Sequence, residues 1–346
     1  MFKVEFLAFK LINKGRTQRI YDFKVEHLFG DASDRQYFRV SFGDETAVMM
    51  KVDNVKSGEF GRGDSLANFI TLTKMFQDNG LDTPKILAVI EEQKALLLED
   101  LGDSSMFAMI KSYPTKKLHY VKSAVEFLVK MQQAMDKRTV FNSPADKRLF
   151  SKSLFMEEFY HFYEYMIQKR VYNRSFKGLW KKLEKEFKEI SDELVRLPYV
   201  LSHRDFQSKN IMIRDNRQYL IDFQDALMAP AVYDLAALLR DSYIILEERE
   251  IDMLLDYFWS INSVVRELLI DYESFKRAFH LQALQRKMKD AGRFIYLNQV
   301  KGKEQFLPYV VPTLGHIKKT LIRLEKEKMA DKLAMFIYEL KLGGRK

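Results

Sequence analysis

Residues 202–223 read Ser202-His203-Arg204-Asp205-Phe206-Gln207-Ser208-Lys209-Asn210, then Ile211-Met-Ile-Arg214, Asp215-Asn216, Arg217-Gln218 and Tyr219-Leu-Ile-Asp-Phe223. A polar loop thus runs into a β-hairpin. Ile211 to Arg214 and Tyr219 to Phe223 suit short strands, and Asp215-Asn216 tolerates the positive φ of a tight turn. Upstream of the loop the patterns are helical. Thr115 is expected to cap a helix through Lys137, Ser151 to start a long aromatic-rich helix, and a further helix to span Phe176 to Leu197. Downstream, Tyr233 to the end reads as helix with one loop around Val300 to Pro312.

The first hundred residues follow a different rule. Tyr37 to Phe42 alternates in part, Gly43-Asp44 is a Gly-X hairpin turn, and Thr46 to Lys51 forms the next strand. Ser65 suits a helix N-cap. Leu66, Phe69, Ile70, Thr73 and Phe76 make one apolar stripe, which Gly80 closes. After Pro84, Ile86 to Ile90 and Ala95 to Leu98 read as a second hairpin. The expectation is an α+β protein of two lobes. A small strand-rich lobe spans residues 1–103, and a large helical lobe spans 104–346 with the Ile211–Phe223 hairpin inside it.

Composition narrows the chemistry. The 346 residues are 47% apolar and 30% charged, which suits a globular chain and not a disordered one. With no cysteine, disulfides, Cys-ligated zinc, iron–sulfur clusters and a cysteine nucleophile drop out. No stretch reaches the ~18 apolar residues of a membrane helix, and no small-residue cleavage site follows the mildly apolar start, so a cytoplasmic protein with no membrane insertion is expected. The net charge is +9, and Ile317 to Lys346 carries nine basic against four acidic residues. A solvated basic helix face accounts for that, and no RNA-binding motif argues for nucleic acid. His27, His119, His161, His280 and His316 show no metal-ligand spacing.

The Ser202–Asn210 stretch matches the kinase catalytic loop H-R-D-x-x-x-x-N. The match implies that Asp205 is the catalytic residue that takes the proton of the attacking hydroxyl. Asn210 would offer a neutral oxygen, and Asp222 a charged one, to Mg²⁺. The protein kinases themselves do not fit. Gln224 stands where D-F-G has glycine, and only Asp225 to Ala229 separates it from Pro230, which leaves no room for an activation segment. Ile221 to Ala226, Pro230 and Tyr233 to Asp241 instead resemble the aminoglycoside phosphotransferase and choline kinase family, with its protein-kinase-like bilobal fold. There Asp234 would hold the catalytic loop by accepting hydrogen bonds.

Three further patches, Phe29 to Val40, Leu97 to Asp103 and Gln285 to Phe294, are similar to one subgroup of that family. This subgroup is the bacterial anomeric kinases of N-acetylmuramate and N-acetylglucosamine, which serve cell-wall sugar recycling. The resemblance runs in patches from about Leu28 to Leu314. It implies ATP and Mg²⁺ as cofactors and a small-molecule sugar as substrate. Gly30 and Ser33 would lie in a phosphate-covering loop, Glu99-Asp-Leu101 in an adenine-pairing hinge, and Lys51 at the α- and β-phosphates. The usual glutamate partner of Lys51 is missing from the Ser65–Asn79 helix, which leaves Glu59 or no partner. Arg286, Arg293 and Arg240 are candidates for an acidic sugar substituent, and Glu158 for sugar hydroxyls, while helix pinning remains open for these arginines. Two alternatives stand beside this reading. One is a kinase of choline, homoserine or an aminoglycoside; the other is a pseudokinase that binds a partner.

Overall fold

The computed structural model describes residues 2–28, 35–52, 65–168, 179–269 and 271–331. Five antiparallel strands form the first sheet: β1 (Lys24–Leu28), β2 (Arg35–Phe42), β3 (Glu45–Val52), β4 (Ile86–Ile90) and β5 (Ala95–Glu99), in the order β1-β2-β3-β5-β4. The β2–β3 register, Phe42 opposite Glu45, leaves the two-residue turn Gly43-Asp44. Gly43 has φ +56°, at the first central position where a Gly-X hairpin turn needs glycine.

Helix α1 (Phe2–Ile12) was not foreseen within a stretch read as strand-rich. Its Leu7, Ala8, Leu11 and Ile12 pack on Phe38, Val40, Phe42, Ala47 and Met49 of the sheet. Helix α2 (Ser65–Asp78) buries Leu66, Phe69, Leu72, Thr73 and Phe76 on one stripe and ends before Gly80 at φ +74°. Strands β7 (Ile211–Arg214) and β8 (Arg217–Leu220) form the expected hairpin, with Asp215 and Asn216 at φ +50° and +59°. Two positive-φ residues in a two-residue loop are the signature of a type I′ turn. The second strand stops at Leu220, short of Phe223, because Asp222 leaves extended backbone for φ +65°.

Contacts group the chain into two units, 1–109 with 210–225, and 110–209 with 226–346. The hairpin therefore groups with the strand-rich unit. Leu220 N–H donates to Asp82 O (2.9 Å), Ile213 N–H to Ser104 O (2.7 Å), and Phe223 stacks on Phe69 with centroids 4.8 Å apart.

The second unit is mostly helical: α3 (Met106–Ser112) leads into α4 (Lys117–Ala134), α5 (Lys137–Val140), α6 (Lys152–Phe162) and α7 (Leu179–Leu194). After the loop and hairpin come α8 (Tyr233–Leu239), α9 (Glu248–Ile261), α10 (Ser263–Leu268), α11 (Tyr272–Lys301) and α12 (Val310–Arg323). Ser151 caps α6, its Oγ accepting from Leu154 N–H (3.2 Å), as its position before the aromatic run requires. Thr115 does not cap α4. It lies inside a 3-10 turn, Pro114–Lys116, and proline in that turn moves the helix start to Lys117. A short antiparallel pair that the sequence reading lacked, β6 (Tyr199–Ser202) with β9 (Leu227–Pro230), delivers the chain into the loop at His203.

Helix α11 is the axis of this unit and is buried along most of its length from Phe275 to Leu297. Gly292 lets it touch α6: a Cβ there would lie 2.7 Å from Phe162 Cα, closer than any side chain could be tolerated. His280 on α11 and His316 on α12 are buried. Burial, then Arg240 and Arg323, pushes His280 down to about 4. Burial, then Lys287 and Arg240, pushes His316 down to about 3. Unfolded, both titrate near ~6.5, so the unfolded chain binds more protons below that pH and stability falls with it. Each histidine is expected to cost about 2 kcal/mol of stability on going from pH 7 to pH 5. Urea unfolding at both pH values should show a smaller pH loss in the H280Q/H316Q variant. An unchanged loss would show that other groups govern it.

Candidate active site

The candidate residues fall in both units, and each cluster is built by its own unit. In the helical unit the loop after β6 makes a strained turn: Arg204, a non-glycine residue, has φ +77°. Such a conformation persists only where neighbours enforce it. Asp234, at the start of α8, does so from one side. Its carboxylate accepts from His203 N–H (2.6 Å) and Arg204 N–H (3.1 Å), the role expected of it. Burial pushes the Asp234 carboxyl up to about 7, against those two N–H donors and Arg286, which favour the charge. Arg286 of α11 does so from the other side. Its Nη1 donates to Arg204 O (2.6 Å) and Tyr233 Oη (3.2 Å), and its Nη2 donates to Asp205 Oδ1 (3.0 Å). Further along, Asp241 accepts from Ser208 N–H (2.7 Å) and Tyr243 N–H (2.9 Å).

The Asp205 side chain is 36% exposed, whereas Arg286 beside it is 1% exposed. Burial alone would raise the Asp205 carboxyl. Lys289, Arg286 and Arg204 outweigh it and hold the group far below the ordinary carboxylate range. Asp205 is therefore an ionised, reachable carboxylate with a fixed orientation. It can accept a hydrogen bond from an incoming hydroxyl, and it is a weak base.

The other proposed substrate residues of this unit lie as follows. Arg240 is fully buried and bidentate to Glu248 (2.6 and 2.8 Å), so it pins α8 to α9. Glu158, the candidate for sugar hydroxyls, is buried. It accepts from Gln285 Nε2 (2.6 Å) and lies 3.8 Å from Arg204 Nη2. Arg293 is half-buried, its guanidinium 4.8 Å from the centre of the Tyr296 ring. Lys289, which the sequence reading passed over, is half-buried with Nζ 3.1 Å from Asp290. Its signal was present in the quoted Gln285–Phe294 run: three residues past Arg286, it shares that helix face.

In the strand-rich unit, Asn210 and Asp222 are joined through the backbone, Ile221 N–H donating to Asn210 O at 3.1 Å. The positive φ of Asp222 turns its carboxylate out of strand geometry, and 34% of the side chain is exposed. Arg35 and Gln224 bind this carboxylate (2.5 and 3.1 Å). Lys51 is half-buried on β3, opposite Gln36 of β2 and Ala95 of β5. Glu99 ends β5 with its N–H donating to Lys85 O (2.8 Å) and its carboxylate held by Arg214 (3.0 Å). Leu101 is buried beside Gly102 at φ +75°. Gly30, Ser33, Glu59 and the chain from residue 332 lie outside the described residues. Of the basic residues near the end, Lys319, Arg323 and Lys326 pair with Glu248, Asp252 and Glu186.

Residues 24–264 match the phosphotransferase enzyme family, APH. The chain belongs to this family. It is accordingly a small-molecule kinase with a hydroxyl acceptor, as the family resemblance implied. It is 26% identical over 316 residues to an N-acetylmuramate/N-acetylglucosamine kinase of Neisseria meningitidis, covering 88% of this chain and 89% of that protein. A Pseudomonas aeruginosa protein of the same name is 28% identical over 286 residues, 80% of this chain and 78% of that one. Among solved structures, a choline kinase from Cryptosporidium parvum shares the fold at TM-score 0.64 and 14% identity, over 95% of this chain and 99% of that one. The protein-kinase-like fold is thereby established, with its strand-rich sheet and large helical part. Among the described residues no helix is long and apolar enough to cross a membrane.

Proposed function

We propose that this kinase transfers the γ-phosphoryl group of ATP to the anomeric hydroxyl of an N-acetylated amino sugar, N-acetylmuramate or N-acetylglucosamine. The observation that carries the reading is the Asp205 carboxylate, held ionised and reachable at the tip of a clamped turn. A weak base suits this acceptor. The hemiacetal hydroxyl is more acidic than an ordinary alcohol, and in a largely dissociative transfer its proton leaves late. Asp205 orients the hydroxyl oxygen toward phosphorus, and the proton passes to its carboxylate as the bond to the γ-phosphorus forms and the bond from that phosphorus to the bridging oxygen of ADP breaks, with ADP leaving. Alignment supplies most of the acceleration. The sugar assignment is supported by the names of the relatives, and by the Gln285–Phe294 segment that resembles theirs. That segment supplies Gln285 and Arg286, which hold Glu158 and Asp205.

Asn210 and Asp222 fit Mg²⁺ by the chemistry of their donors. One amide oxygen and one partly exposed carboxylate are hard ligands that leave room for water and phosphate oxygens. Bound there, Mg²⁺ would neutralise charge on the nucleotide phosphates. Lys51, and the Gly30 and Ser33 stretch, remain the proposed phosphate contacts, and Glu99 and Leu101 the adenine contacts.

The acceptor is tested directly. N-acetylglucosamine should react and its O1-methyl glycoside should not. Phosphorus NMR of the product should show coupling to the anomeric proton. Phosphorylation of the O1-methyl sugar would overturn the anomeric assignment. Turnover of choline or an aminoglycoside with neither sugar accepted would favour the other branch of the family.

A further inference from the structure

Arg35 is the first residue of β2 and closes the stretch read as the phosphate-covering loop. Its side chain is only 7% exposed, an expensive place for a charge unless it is fully paired. The pairing is specific. Nη1 donates to Asp222 Oδ1 at 2.5 Å and Nη2 to Asp225 Oδ2 at 3.0 Å, so one guanidinium bridges two carboxylates. Gln224 Nε2 reaches the same two oxygens, at 3.1 and 3.3 Å. Gln224 stands where the protein kinases have the glycine of D-F-G, and here it has a side chain that completes the cluster. All four residues belong to the strand-rich unit.

We infer that Arg35 is a positioning residue that competes with the metal ion for Asp222, and so sets how strongly nucleotide binding depends on Mg²⁺. The inference rests on the proposed role of Asp222 as metal ligand. A carboxylate oxygen already bonded to a guanidinium at 2.5 Å offers less charge to a second cation. Its pairing also lowers the repulsion that an uncompensated Asp222 would exert on nucleotide phosphates. Arg35 therefore weakens the metal at Asp222 and strengthens nucleotide binding without metal. Asp225 and Gln224 keep the guanidinium in place whichever cation Asp222 holds.

Both effects lower one measurable quantity. The ratio of ADP affinity at saturating Mg²⁺ to ADP affinity in EDTA is the coupling between metal and nucleotide. Titration calorimetry on the full chain gives both affinities without turnover. R35Q keeps a polar side chain but removes the charge, and the ratio should rise at least ~10-fold, the scale of one charged hydrogen bond. R35K keeps the charge but cannot bridge two carboxylates, and the ratio should rise by about threefold. R35K also preserves the test if R35Q fails to fold. A purely structural role would weaken both affinities together and leave the ratio unchanged. A ratio unchanged or lowered in both variants overturns the inference. D222N separates its foundation: the ratio should collapse toward one. If D222N kept the wild-type ratio, the metal-ligand reading of Asp222 would fail first, and the role of Arg35 with it.

Discussion

Asp205→Asn should lower kcat at least ~100-fold, the lower end for loss of a positioned base, while ADP affinity stays within about twofold of wild type. The substitution is nearly isosteric. Arg286 Nη2 can still donate to the amide oxygen, and the Asp234 bonds to His203 and Arg204 do not involve residue 205, so the turn should persist. What goes is the negative charge that attracts and finally takes the hydroxyl proton. Three cations, Lys289, Arg286 and Arg204, then face a neutral group. The depressed carboxyl also fixes the pH behaviour. Asp205 is ionised well below the ordinary carboxylate range, so it should give kcat no acidic limb between pH 5 and 8. The stability its charge contributes is present above the unfolded value near ~3.9 and is lost only as pH falls below it. Stopped-time assays on variant and wild type, with melting curves as a folding check, decide the matter. Near-normal turnover in a folded variant would remove Asp205 from the chemistry.

Local rules made much of this molecule legible in the sequence. Gly43-Asp44 and Asp215-Asn216 announce their turns because backbone sterics act within two residues. The α2 stripe and the Ser151 cap are equally local. Helix α1 was missed because its apolar positions mean little until the sheet that buries them is known. Strands β6 and β9 lie 25 residues apart, from Ser202 to Leu227, and neither keeps an alternation of buried and exposed positions, since the neighbours Val200 and Leu201 in one and Ala229 and Pro230 in the other are both buried. The same divide runs through the site. The Asp205 to Asn210 spacing is a short-range pattern and reads directly, and so does the role of Asp234 within one motif. The partners of Asp222 and Glu158 do not. Arg35 is 187 residues from Asp222, and Gln285 is 127 from Glu158, distances at which a single sequence carries no pairing signal.

Arg286 is where this matters most, and it yields the second large effect. Its place in a segment that resembles the anomeric amino-sugar kinases suggested a guanidinium waiting for the sugar carboxylate. In the structure that guanidinium is buried and both its terminal nitrogens are engaged: Nη1 on Arg204 O and Tyr233 Oη, Nη2 on Asp205. Two of these acceptors are the strained carbonyl and the proposed catalytic carboxylate, so we assign Arg286 to positioning Asp205. Lysine cannot replace it, because one ammonium cannot reach three acceptors that a planar fork spans. R286K should therefore lower kcat ~10–100-fold, matching ~1.5–3 kcal/mol for a lost charged hydrogen bond. R286A should in addition destabilise the fold by about 3–5 kcal/mol, since it strips the partner from a buried network. The distinguishing readout is KM. A positioning role predicts equal changes for N-acetylmuramate and N-acetylglucosamine, because neither sugar meets the guanidinium. A direct contact with the lactyl carboxylate predicts the opposite: a KM raised for N-acetylmuramate alone, with kcat for N-acetylglucosamine intact. That second result would return Arg286 to the substrate and show that the turn at Arg204 stands without it.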